Sequence, residues 1–373
     1  MLFSAFSSIS RLKPLIAIYL LAAFLLSAFF LTGCSPFYVL RAAFEEGKIL
    51  WRREPIEGLL EKADLDPQTR EKLHLVLAVR DYARDSLKFR VGGSYASYSY
   101  VDRAALTYVL MAVPKTDLTP YTWWFLFVGN VPYKGFFSEQ AAKAESESFQ
   151  AQGYDTFIRT APAFSTLGWF NDPLLSHLLK YDKATLVQLI FHELFHNTLF
   201  VSGRVDFNES LANFVGNRAA ILFFRDRYGE GSPEHQRAFQ TWQEELEFSA
   251  FIHEVSRSLR DLYGSGIAEE EKLKLREKIF SQSKNEWSRR IAKQPGHRFR
   301  GFGQPEINNA VIAHYLLYFK ELELFESLYQ AQGKDLAQSL ESIIQSISNG
   351  EDPFDTVREL VGKKNRAARP PLP

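Results

Sequence analysis

Cysteine is almost absent: one residue, Cys34, in 373. A single thiol excludes an internal disulfide and any cysteine-rich zinc cluster. Charge excess of either sign is missing too, with Lys plus Arg and Asp plus Glu at 44 each. No block of charge forms a nucleic-acid arm or a polybasic membrane patch, so a phosphate-backbone partner is not expected. There is no internal repeat, and long apolar runs are lacking after residue 34. What remains, 46% hydrophobic and 24% charged, is ordinary globular composition for one large domain or two modest ones.

The one long apolar run lies at the start. Arg11 and Lys13 precede "PLIAIYLLAAFLLSAFFL" (14–31), which carries no charge, and Leu31-Thr32-Gly33-Cys34 follows. A basic n-region, an apolar h-region and a small-residue site make a secretory signal. The L-T-G-C resembles a bacterial lipobox, which implies removal of residues 1–33 and lipidation of Cys34. The competing reading is a signal anchor, because the run is nearly long enough to span a bilayer. Two or more acyl chains would anchor the chain stably. Ser35, where an aspartate would signal inner-membrane retention, points to the outer membrane of the bacterial envelope, facing the periplasm. Lipidation of Cys34 would also remove the last thiol, and with it cysteine catalysis.

From 35 to 90 the chain is rich in helix formers, broken at Pro55 and Pro67. Residues 92–137 turn aromatic and β-branched, giving two or three strands, followed by a helix over 138–150 and a strand at 154–162. Asp182 caps a helix expected to run to about Phe200, and a second helix is expected from about Asn208 to Arg225. Residues 232–292 read as an αα-hairpin with a charged outer face, opened by Ser232-Pro233 and turned at Gly264-Ser265-Gly266. The expectation for it is an inserted packing arm. Further helices are expected over 308–330 and 334–348, then an unstructured tail from 361. Strands before helices give an α+β class, predominantly helical, with one domain over 34–360.

Chemistry concentrates in "FHELFHNTLFVSGRVDFNESLAN" (191–213). His192 and His196 are four apart, so one helix face directs both imidazoles at one ion. Catalytic zinc takes three protein ligands and keeps a position for water. An H-x-x-G-x-x-H extension is excluded by Leu199 and Ser202. The third ligand expected is Glu209, separated from His196 by twelve residues and placed in the first turn of the next helix, folded back antiparallel. One zinc per chain follows, with Glu193 as the base that takes a proton from water and returns it to the leaving amine. Asn213, four residues after Glu209, could orient a ligand or lie on the surface. His253-Glu254 starts a similar string without its second histidine and is expected to carry no chemistry.

These strings resemble the bacterial aminopeptidase lipoproteins, a gluzincin-like group. The matching segments are L-T-G-C at 31–34, "VPYKGFF" at 131–137, "STLGWFNDPLL" at 165–175, "FHELFHNTLF" at 191–200, "FNESLANF" at 207–214 and "NNAVIAHYLLY" at 308–318. The resemblance implies zinc peptidase chemistry through His192, His196, Glu209 and Glu193. It further implies an oxyanion donor from a later helix, for which Tyr318 is the first choice and Tyr315 and His314 follow. It places a substrate-binding edge at Thr166, Leu167 and Gly168. An aminopeptidase also needs an acid for the substrate amine, and Asp172, Asp206 and Glu306 are available. The chain departs from the family pattern at Phe164, usually tyrosine, and at Trp124 and Asn130, where a cysteine pair is usual.

The leading reading is a lipid-anchored zinc aminopeptidase of short peptides. The alternatives are an endopeptidase or cell-wall peptide hydrolase, and a non-catalytic scaffold that keeps the ion for stability.

Overall fold

A computed structural model describes residues 44, 47–101, 107–125, 129–161, 171–304, 306–347 and 351–367. The fold is α+β and predominantly helical, as the sequence implies. Among the described residues no helix is long and apolar enough to cross a membrane. The apolar run 14–31, Cys34, Phe164 and Thr166–Gly168 lie outside them.

After helical residues 47–51, the short strand β1 (Glu54–Pro55) leads to helix α1 (Ile56–Leu60) and helix α2 (Pro67–Asp85), whose N-cap Asp66 accepts from Thr69 N. Strands β2 (Ser97–Ser99), β3 (Thr107–Pro114), β4 (Trp123–Phe125), β5 (Gly129–Val131) and β6 (Lys134–Phe136) follow. Helix α3 (Glu139–Ala151), capped by Ser138, leads into β7 (Tyr154–Ala161), and β8 (Leu174–Leu175) precedes a 3₁₀ turn. Among the described residues three small sheets result, in the orders β1-β2-β8, β6-β3-β7 and β4-β5. Trp124 and Asn130 stand directly opposite each other across β4 and β5.

The middle sheet positions the site. β3 and β7 pair antiparallel over their whole length, with Val109 opposite Arg159, Met111 opposite Phe157 and Val113 opposite Asp155. Side chains alternate across a strand. One face, Leu110, Ala112 and Ile158, therefore packs with Ala142 and Phe149 of α3. The other, Met111, Val113 and Phe157, packs with Ala310, Ala313 and Leu317 of a later helix.

Helix α4 (Lys183–His196) is apolar on almost every side: Leu186, Val187, Ile190, Phe191, Leu194 and Phe195 are all buried, so it is the central helix of the core. Its N-cap Asp182 accepts from Ala184 N and Thr185 N. α5 (Val205–Tyr228) runs back against it, starting three residues before the expected Asn208. α6 (Pro233–Gly264) and α7 (Glu269–Arg290) form the expected hairpin. Its first helix is not a solvated arm, however: Trp242, Phe248, Phe251, Ile252 and Leu259 of α6 are buried in the main core.

Residues 308–330 form two helices rather than one: α8 (Asn309–Phe319) and α9 (Leu322–Ala331). No glycine or proline announces the break. It occurs where side chains of other helices take the last carbonyls of α8, the groups a helix end leaves unpaired. Ser210 donates to Leu317 O, Asn213 to Tyr318 O and Ser249 to Phe319 O, with the His253 ring 3.0 Å from the same oxygen. Glu321 then turns into the left-handed region at φ 56°. α10 (Leu336–Ser346) and α11 (Pro353–Ala367) complete the chain. α11 runs through 361–367, so the unstructured tail expected from 361 does not hold for those residues.

Candidate metal and catalytic site

His192 and His196 lie in the last turn and a half of α4, and Glu209 in the second turn of α5. The connection between the helices is held by Asn208, whose side chain donates to Val201 O and accepts from Val201 N at 2.8 and 2.9 Å. That two-way bond fixes where α5 begins, and so aims Glu209 next door. Gly216, seven residues on, lets the helices touch: a methyl group there would stand 2.6 Å from Gln188 O and 3.2 Å from His192 Cβ.

The three side chains converge. His192 Nε2 and His196 Nε2 are 3.2 Å apart, and Glu209 Oε2 lies 3.3 and 3.7 Å from them. Two nitrogens held at about 2.0–2.1 Å by one tetrahedral ion would stand roughly 3.3 Å apart. The donor set is buried and fits a divalent ion. Glu209 Oε1 accepts from the Tyr133 hydroxyl at 3.3 Å, leaving Oε2 for the ion. Such bonding behind a ligand orients it. His196 Nδ1 is buried and meets no acceptor among the described residues, so the Glu209 side fixes that ring.

Electrostatics follow the geometry. Burial pushes the Glu209 carboxyl up, but the two imidazoles outweigh it and hold the group far below its usual range. Burial likewise depresses His196, and Glu209 more than reverses this. Glu193 makes no hydrogen bond among the described residues, and burial, only partly offset by His192 and His196, raises its carboxyl.

The family model described as Putative aminopeptidase matches residues 37–351. The chain belongs to this aminopeptidase family. No curated protein and no solved structure matches it. Membership supports peptidase activity in general.

Tyr318 stands beside the ligands, its ring centroid 6.3 Å from that of His192, and its hydroxyl accepts from Arg159 at 2.8 Å. His314 packs between Phe157 and Tyr318 at 5.3 Å from each, and burial drives its imidazole well below the usual value. Tyr315 turns away, into the cluster of Phe248, Phe299, Phe302 and Phe319. His253 serves the α8 terminus, and Glu254 pairs with Arg290 at the surface.

The Asn213 side chain makes no hydrogen bond to a ligand among the described residues. Its amide donates to Glu245 Oε2 at 2.8 Å and accepts from Gln188 at 3.3 Å, while Asn217 and Arg298 complete the set on Glu245. This buried network ties the metal helix α4 to α5, α6 and the end of α8. Asp206 is held by Lys320 at 2.6 Å, Asp172 is buried with its carbonyl accepting from Tyr95 N, and Glu306 is exposed. Tyr133, Arg159, Asn208 and Gly216 were not singled out as site residues in the sequence. Tyr133 sits in the family-like VPYKGFF string and Asn208 in FNES, which are the signals that could have found them.

Proposed function

We propose that the chain is a zinc-dependent peptidase, an aminopeptidase of short peptides, with His192, His196 and Glu209 as ligands. The observation that carries this reading is the convergence of the three ligand atoms with Glu193 adjoining the first ligand, in a member of an aminopeptidase family. Zinc is favoured by the imidazole and carboxylate donor set. Bound there, it supplies Lewis acidity to a substrate carbonyl and acidifies water.

The chain's own residues do the rest. Glu193 accepts a proton from the attacking water at its carboxylate and passes it to the departing amine. Its buried setting raises its basicity toward that task. Tyr318 donates from its hydroxyl to the oxygen on which charge develops, and Arg159 fixes that hydroxyl from behind. Tyr133 keeps Glu209 oriented. A non-catalytic scaffold would have no use for Glu193, which favours an enzyme.

The test is hydrolysis of a library of short peptides by the metal-loaded chain. Cleavage that stops on chelation and in Glu193→Gln supports the reading. No cleavage of any peptide by fully loaded protein would sink it.

The proposal includes a lipid anchor at Cys34 and a place at the outer membrane of a bacterial envelope, facing the periplasm. Its support is the L-T-G-C string after a charged and then apolar stretch. Mass spectrometry of the mature N-terminus checks it: an acylated cysteine as first residue is expected, and an intact residue 1 would refute it.

A further inference from the structure

We infer that Arg159 is the anchor for a carboxylate of the substrate, so that the peptides hydrolysed carry a carboxylate close to the scissile bond. The inference rests on the peptidase reading above and names the substrate class for that site.

Placement comes first. On β7 the alternating residues Asp155, Phe157 and Arg159 face α8. Asp155 is paired with Arg276 at 2.7 Å, and Phe157 packs on His314. Arg159 is the next in line, and it reaches the metal side: one nitrogen donates to the Tyr318 hydroxyl, and the guanidinium lies 5.7 Å from that ring's centroid. Tyr318 in turn lies against His192. The cation is therefore one side chain away from the ligands.

Its partner is the second observation. Arg276, Arg298 and Arg218 each hold a carboxylate, those of Asp155, Glu245 and Glu326. Arg159 holds a neutral phenol, and among the described residues no carboxylate lies within ion-pairing distance of it. A guanidinium presents five N–H donors in a planar fork. One is used on Tyr318, which leaves the fork open to a planar two-oxygen acceptor.

The third is the sign of the charge. An α-amine subsite needs an anion, yet Asp206 is occupied by Lys320, and Glu209 by the imidazoles and Tyr133. Apart from the base Glu193, the charged side chain beside the ligands that has no ion-pair partner among the described residues is the cation Arg159. A carboxylate is the group that matches it, whether the C-terminus of a short peptide or an acidic side chain.

The experiment is calorimetric titration of the metal-loaded Glu193→Gln chain, which binds without turning over. The probes are leucyl-leucine against leucyl-leucinamide, and leucyl-glutamyl amide against leucyl-glutaminyl amide. The carboxylate form of one pair should bind about 10- to 100-fold tighter, the range of a charge-assisted bond. The pair that shows the preference identifies the source of the carboxylate. Arg159→Met should erase it, Arg159→Lys should keep part of it, and Tyr318→Phe should leave it intact. Equal affinities within both pairs, or a preference that survives Arg159→Met in folded protein, would overturn the inference. Hydrolysis by the unsubstituted chain is read separately. Equal cleavage of acid and amide peptides upholds the peptidase and refutes the anchor; selective binding without any cleavage does the reverse.

Discussion

Gly216 faces His192 across the α4–α5 crossing, and a Cβ at that glycine would come within 2.6 Å of Gln188 O and 3.2 Å of His192 Cβ. The first obstacle is backbone, which cannot swing aside. The approach of the two helices, and with it the reach of Glu209 to the imidazoles, depends on this missing side chain. Gly216→Ala should therefore destabilise by about 1–3 kcal/mol through overpacking. It should also weaken metal retention, because α5 must move away from α4. Thermal denaturation with parallel metal analysis checks both, and an unchanged metal content would separate packing from the site.

Glu193→Gln keeps shape and removes the base. Peptide hydrolysis should fall by about 10²- to 10⁴-fold with metal content unchanged. A variant that retains activity would assign the proton transfer to another group.

The buried network around Glu245 predicts an asymmetry between ion pairs. Glu245→Ala strands the donors of Asn213, Asn217 and Arg298 and should cost about 3–5 kcal/mol. Glu54→Ala removes only the exposed pair with Lys62 and should cost about 1 kcal/mol or less. Denaturant melts of the two variants test the contrast.

Asp182 caps the metal helix. Burial pushes its carboxyl up, but hydrogen bonds from Thr185 and the Arg237 charge outweigh this and hold it below its usual value. A depressed carboxyl contributes stability above its unfolded pKa of about 3.9 and loses it as pH falls through the lower folded value. Asp182→Ala should thus cost about 1 kcal/mol at neutral pH. The gap from the unsubstituted chain should narrow below about pH 4, and melting curves at pH 7 and pH 3.5 would show it.

The convergence of His192, His196 and Glu209 was legible in the sequence because its geometry is local. A four-residue spacing fixes two imidazoles on one helix face, and a short connection returns Glu209 to them. The αα-hairpin and the helices capped by Ser138 and Asp182 were legible for the same reason. Tyr133 and Arg159 were not, since each meets its partner across a sheet–helix contact that no periodicity encodes. The break between α8 and α9 was hidden as well: Ser210, Asn213, Ser249 and His253, from two other helices, create it. The charged outer face of α6 suggested an arm because its buried face, led by Trp242 and Phe248, only acquires meaning once α4 and α5 lie against it.

Elemental mass spectrometry of the purified chain tests the three-ligand metal site most directly. About one zinc per chain is expected in the unsubstituted protein and in Glu193→Gln, where ligand count sets retention, and loss of the ion in Glu209→Ala. A chain that takes up no divalent metal when offered it, or a Glu209→Ala variant that keeps a full equivalent, would contradict the three-ligand site.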